Sequence, residues 1–324
     1  MKKILALVLT LSLVLSLGCL ALAEEEIKAP AGYPNQAVNL IVGFGAGGDT
    51  DTNNRLLAKY VEQLLGASIA VSNNPGSNGA ANMAQYQSQP TDGYTIIGAN
   101  TGAVLSNYSN GKSQYSYQDM EVIALFGKAP GDMLFASKAS GITSMDDLIA
   151  RCEEDPFSIN LGTSMGGTTQ AYAMMLEASG IDVNIVDGGD GASRAANLLG
   201  GHVDVCFVPY LNAREYIESG DFICLGTISS GCSELPDVPT LESTGRVASC
   251  MDGCYIWLAP KGTDPEIVAY LASLAEQVVN GNEAYQAEQA AINYNDAFVL
   301  TGEAALEWLA ENQLIADTNA EVLK

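Results

Sequence analysis

Cations are scarce in this chain: 14 Lys and Arg stand against 38 Asp and Glu in 324 residues, a formal net charge of −24. A nucleic-acid surface needs clustered Lys and Arg, so this balance argues against that class. Histidine is scarcer still, with His202 the single example. One His makes a zinc centre a poor reading even though Cys250 and Cys254 are spaced C-x3-C. No D-x-D-x-D-G loop with a distal Glu occurs, which disfavours calcium. No metal or cofactor is therefore expected. Charged residues are few, at 16%, but hydrophobic residues reach 48%, a globular rather than a disordered composition. The length suits two domains.

One long apolar run is present, and it lies at the N-terminus. Lys2 and Lys3 precede residues 4–23, and Ala21-Leu22-Ala23 offers an A-x-A cleavage site before Glu24-Glu25-Glu26. This reads as a signal peptide over 1–23 and an exported, extracytoplasmic protein. A retained membrane anchor and a lipid anchor at Cys19 are the alternatives. Past that segment six of the seven cysteines remain. In an exported chain they are read as buried thiols or as one or two bridges.

Strand and helix signals then alternate. Strands are expected at 38–42, 69–71, 95–98, 157–161, 183–186, 203–208 and 222–227. Helices are expected over 56–65 (ending at Gly66), 145–152, 168–179, 192–199 and 212–218. Alternation at this spacing implies parallel sheets covered by helices on both faces, an α/β class. The last quarter changes character and reads as three helices at 265–279, 283–291 and 302–323.

The loops carry the chemistry. Gly43-Phe44-Gly45-Ala46-Gly47-Gly48 follows a strand and opens a helix, the context of a dinucleotide fingerprint. The acid expected at the end of the second strand is missing, because Ser72-Asn73-Asn74 stands there. What survives is a turn whose main-chain N–H groups and helix start favour negative charge. Gly162-Thr163-Ser164-Met165-Gly166 matches G-x-S-x-G. A triad on Ser164 needs His202 and either Asp187 or Asp190, at a spacing far too short for an α/β-hydrolase. A hydroxyl-rich helix start is the better reading, with Thr163, Ser164, Thr168 and Thr169 able to donate to a carboxylate. Asn73-Asn74-Pro75-Gly76-Ser77-Asn78-Gly79 and Asp187-Gly188-Gly189-Asp190-Gly191 are further loops after strands. Ligands of parallel α/β sheets sit beyond the carboxyl ends of the strands, where these loops lie.

Taken in order, several segments resemble the Bug-type solute-binding proteins of tripartite tricarboxylate transporters. Ile41-Val42-Gly43-Phe44-Gly45-Ala46-Gly47-Gly48-Asp49-Thr50-Asp51 is close to that family's FPAGGGTD. The 73–79 loop resembles its NRPGAGG, and Asp92-Gly93-Tyr94-Thr95 matches DGYT. Residues 198–204 match LLGGxVD, 235–240 match LPDVPT, and 258–263 resemble FAPKGT. The resemblance runs from about Tyr33 to about Leu309. It implies a two-lobed periplasmic-binding-protein fold of type II, with a ligand cleft between lobes at 30–130 plus 252–324 and at 131–251. It also implies a hinge near 127–132 and 249–253. The implied function is binding a small carboxylate and passing it to the membrane components of the transporter, with no catalysis. A monomer is expected, and a sensor partner for a kinase is the alternative that would share this fold.

Carried over, Phe44, Ala46 and Asp51 line lobe one, Thr163 and Thr168 the first loop of lobe two, and Gly189 the next. The same loops nominate Gly47, Asp49, Asn73, Thr101, Ser164, Asp187 and Asp190. The sequence departs from the family pattern in one direction. Asp49 replaces a glycine, Ala171 a histidine and Asn74 an arginine, and a Lys and an aromatic are lost at 186–189. The expected site is thus more acidic than the family's usual one, which points to an amino-bearing or singly charged acid.

Overall fold

A computed structural model describes residues 28–129, 131–165, 167–228, 235–247, 253–293 and 297–321. The signal segment with Cys19, the cysteines 232 and 250, Gly166 and most of the second hinge segment lie outside the described residues.

Two mixed sheets form two lobes. The first runs β11-β4-β10-β3-β1-β2 and the second β7-β6-β8-β5-β9. In the first, β1 (Val38–Val42), β2 (Ile69–Asn73) and β3 (Thr95–Asn100) are parallel. β10 (Gly253–Pro260) joins them antiparallel and pairs on its other side with β4 (Met120–Ala129), which holds the short β11 (Val299–Leu300). In the second, β6 (Asn160–Thr163), β7 (Asn184–Asp187) and β8 (Val205–Pro209) are parallel. β5 (Asp132–Ser137) runs antiparallel between β8 and β9 (Phe222–Thr227). The expectation of purely parallel sheets is corrected here, and the strands that break it, β4, β5 and β10, had no sequence signal of their own. β5 and β10 are buried along almost their whole length, so neither alternates polar with apolar residues.

The helices are α1 (Asp49–Leu65), α2 (Ala80–Tyr86), α3 (Thr101–Ser109), α4 (Met145–Glu154), α5 (Thr168–Ala178), α6 (Gly191–Leu199), α7 (Tyr210–Ser219), α8 (Pro265–Gly281), α9 (Glu283–Asn293) and α10 (Gly302–Ala320). Helices α2 and α3 were not anticipated. α1 stops where Gly66 turns left-handed at φ 74° and its N–H returns to the Glu62 carbonyl. Its inward Asn54 accepts from Trp257 Nε1 at 2.9 Å, which locks helix to sheet. A Cβ on Gly98 would stand 2.4 Å from Asn54 Oδ1, so β3 needs glycine there. Each lobe has its own core, around Leu57, Trp257 and Leu271 in the first and around Leu161, Tyr172 and Phe207 in the second. The chain first passes from one sheet to the other between β4 and β5 and returns at β10. Among the described residues, Cys152 and Cys206 are buried free thiols. No helix among those residues is long and apolar enough to cross a membrane. No cluster of three metal-ligating side chains occurs among them.

Candidate functional site

Strands β1, β2 and β3 of one lobe and β6, β7 and β8 of the other end in loops that face one another. The turn after β1 is set by hydrogen bonds behind it. Gly47, at φ 80°, donates its N–H to Asp51 Oδ2 at 2.9 Å. Asp51 also accepts from Arg55 Nε at 2.8 Å and Asn73 Nδ2 at 2.8 Å, and Asn73 Nδ2 reaches the Phe44 carbonyl at 2.9 Å. Burial pushes the Asp51 carboxyl up, but the bonds from Arg55, the Gly47 N–H and Asn73 outweigh it and hold it below the usual range. Asp51 and Asn73 therefore shape the turn from behind, while Ala46 and Gly47 lie exposed on its outer side. Phe44 and Asp49 line the cleft.

Across the cleft, α5 begins at Gly167 with no side chain capping it and no acid in its first turn, so its positive end faces the gap. Thr169 Oγ1 accepts from the Ser164 N–H at 2.9 Å, fixing the loop, and Ser164 and Thr168 line the cleft. Thr163 is buried on the far side with its hydroxyl on Met165 Sδ at 3.8 Å. Thr101 is buried too, and bonds the Cys254 carbonyl and N–H at 3.1 Å, a tie between the start of α3 and β10. Asp187 accepts from the Gly189 N–H at 3.0 Å, and Asp190 caps α6 through the Ser193 N–H at 2.9 Å. With Gly189, both line the outer mouth, and Asp190 also lines the central cavity.

The lobes are closed on each other. Ser106 and Thr168 share a hydroxyl bond at 2.6 Å, Lys112 Nζ donates to the Met165 carbonyl at 2.8 Å, and Ser164 Oγ donates to Asn78 Oδ1 at 3.4 Å. Between them remain a cavity of about 80 Å³ at the centre, one of about 260 Å³ at the mouth and one of about 70 Å³ toward the hinge.

The electrostatics centre on residues the sequence reading did not nominate. Asp132, the first residue of β5, accepts from Arg194 Nη2 at 2.6 Å. Arg194, only 4% exposed, also donates from Nη1 to Thr169 at 3.2 Å. Asp49 receives the Tyr255 hydroxyl at 3.4 Å and has no Lys or Arg partner among the described residues. Burial, with the facing Asp132, raises the Asp49 carboxyl to about 6 against the pull of the Thr50 N–H, Arg194 and Tyr255. Burial also raises Asp132, partly offset by Arg194, and it drives the Tyr255 phenol well above its usual value with help from Asp49. One signal could have found Arg194: in a chain so poor in cations, it sits on the apolar face of α6 beside Ala195 and Leu198.

A hydrolase triad does not assemble. β6 and β8 are parallel with Leu161 beside Val205, so Ser164 lies level with Val208. His202 precedes that level by six residues, about 20 Å along the strand, at the other end of the sheet.

Residues 54–296 match the family described as the tripartite tricarboxylate transporter family receptor. The chain belongs to this family. It is 28% identical to Protein BugT of Bordetella pertussis over 77% of this chain and 79% of that protein. Its fold superposes on an R. palustris protein solved with adipate at a TM-score of 0.80 and 21% identity, covering 90% of this chain and 98% of the other. MatC from Rhodopseudomonas palustris with bound malate gives 0.76 at 22% identity, over 89% and 100%. These receptors are two-lobed periplasmic binding proteins. Inside α5 of this chain, Ala171 is buried at 2% exposure.

Proposed function

We propose that this receptor closes its two lobes over a small carboxylate outside the cytoplasmic membrane and presents it to the membrane components of a tripartite tricarboxylate-type transporter. One observation carries the reading. A polar cavity lies between the lobes, walled by the glycine turn of the first and by the uncapped start of α5 in the second. An uncapped helix start flanked by hydroxyls suits an oxyanion without any catalytic group. The family's relatives solved with adipate and malate support the same ligand class. One chain supplies both walls, so a monomer suffices. The acidity around Asp49 favours acids that carry an amino group or a single negative charge over triacids.

Calorimetric titration with aliphatic mono- and dicarboxylates, malate and adipate among them, tests the proposal. Binding is expected, with a smaller radius of gyration by X-ray scattering in the bound form. Absence of binding by every carboxylate tried would reject it.

A further inference from the structure

The cleft is divided along its length. The central cavity of about 80 Å³ and the mouth of about 260 Å³ are separate volumes, and Phe44, Asn78, Ser164 and Asp190 line both. These four residues form a neck between them. The hinge-side cavity of about 70 Å³ shares Asp49, Asn100, Asp132 and Thr168 with the centre and touches none of the neck residues. Centre and hinge-side space together are comparable to the roughly 150 Å³ that takes up one benzene. That is room for about six non-hydrogen atoms, an acid of roughly two to four carbons. Anything longer has to pass the neck.

The neck is made by contacts across the lobes. Asn78 Oδ1 of the first lobe accepts from Ser164 Oγ of the second at 3.4 Å. Its Nδ2 lies so near Gly167 that a Cβ there would stand 2.9 Å away. Opposite, Asp190 Oδ2 presses on the first lobe's glycine turn, where a Cβ on Gly45 would be 2.6 Å from it.

A second observation singles out Asn78. It sits at φ 52° and ψ 40°, and Ser77 before it at φ 49°. Glycine enters this left-handed region freely and other residues seldom do. The buried Asn107 holds the loop there by donating Nδ2 to the Asn78 carbonyl at 2.8 Å. That bond uses only the main chain of residue 78, so a glycine would serve the loop equally well. The Asn78 side chain therefore serves the cleft, where it meets the other lobe.

We infer that Asn78 is a specificity-determining residue, which closes the neck against Ser164 and limits the solute to short acids enclosed between the centre and the hinge. The mouth then lies outside the enclosed solute.

The inference rests on the carboxylate-receptor reading, and a chain-length series separates the two. Straight-chain monocarboxylates from acetate to octanoate are titrated by calorimetry into the wild type, Asn78→Gly and Ser164→Ala. Asn78→Gly takes φ 52° without strain and keeps the carbonyl that Asn107 uses, so it should fold, which its unfolding midpoint checks. In the wild type, affinity should rise about four-fold per methylene as far as butyrate, then fall about ten-fold or more at hexanoate. In Asn78→Gly the rise should continue through hexanoate, raising the hexanoate-to-butyrate ratio by about ten-fold or more. Ser164→Ala removes the bond but leaves the Asn78 amide in place, and should keep the wild-type optimum. Wild-type affinity that climbs without a break through octanoate overturns the inference and leaves the receptor reading standing. So does a loss in Asn78→Gly that is equal at every chain length, the mark of a closing contact only. An optimum that moves as far in Ser164→Ala as in Asn78→Gly also overturns it. Silence from the whole series in all three proteins rejects the carboxylate reading and the inference with it.

Discussion

Helix α1 of the first lobe and helix α5 of the second both start at a glycine beside the cleft, Gly48 and Gly167, yet they meet it with opposite charge. The start of α1 carries Asp49 and Asp51, and Asp51 already takes up the Gly47 N–H. The start of α5 carries threonines and no acid, and no side chain caps it. Both ends have the same helix dipole, so the difference lies in the side chains. The first lobe has spent its positive end on its own carboxylates, whereas the second keeps that end available. That asymmetry underlies the proposed preference for a ligand with two unlike ends.

The largest test of that asymmetry removes the cation that keeps it balanced. Arg194→Met strands Asp132, 25% exposed, without its guanidinium. Loss of one partner from a buried pair is expected to destabilise the protein by about 3 kcal/mol, measured by urea denaturation. Adding Asp132→Asn should recover part of that loss. No recovery in the double variant would show that Arg194 acts through packing rather than charge.

A smaller effect follows from blocking the uncapped end. A Cβ on Gly167 would stand 2.9 Å from Asn78 Nδ2 of the other lobe and 3.1 Å from the Ser164 carbonyl. Gly167→Ala should oppose closure by about 1–3 kcal/mol, a ten- to hundred-fold loss of affinity. The circular dichroism spectrum and unfolding midpoint should stay close to wild type. A stability loss of the same size would mean that the clash lies within its own lobe.

Much of this contrast could be read from sequence, and the reason some could not is physical. The parallel strands and their loops were legible, because glycine turns punctuate them and amphipathic helices follow. Phe44, Asp49, Ser164, Thr168 and Asp190 were nominated from those turns, and all five line the cleft. Asp51, Asn73, Thr101 and Thr163 were nominated by the same rule, but their side chains bond backward into their own lobes. Loop position says which residues are near a cleft, not which way each side chain turns. Asp132 and Tyr255 escaped notice because they sit on β5 and β10, buried strands without periodicity. Those strands also lie next to the chain crossings, where a pattern along the sequence cannot show that two lobes converge.

Asp49→Asn sharpens the comparison without a ligand. Between about pH 4 and 6 the folded protein keeps a proton on Asp49 that the unfolded chain releases, because the folded carboxyl is raised to about 6. Stability due to this group therefore falls as pH rises through that window and stays low above it. Removing the charge should stabilise the unliganded protein at pH 7 by on the order of 1–2 kcal/mol, and by nothing measurable near pH 4. Melting curves of both proteins at the two values check this. Equal gains at both would show that the facing Asp132, Arg194 and Tyr255 leave Asp49 unperturbed.

The smallest expected effect comes from the rim. Lys112 is exposed and donates to the Met165 carbonyl across the lobes at 2.8 Å, a bond that exists only when they are closed. It touches neither acid nor the start of α5, so Lys112→Ala leaves the polarity of the cleft intact. A solvent-exposed bond of this kind contributes little, so affinity should fall by about two- to five-fold, with the change in dissociation rate. The ratio between amine-bearing and amine-free acids should not move. If that ratio shifts with Lys112, selectivity belongs to closure as a whole and not to the two helix starts.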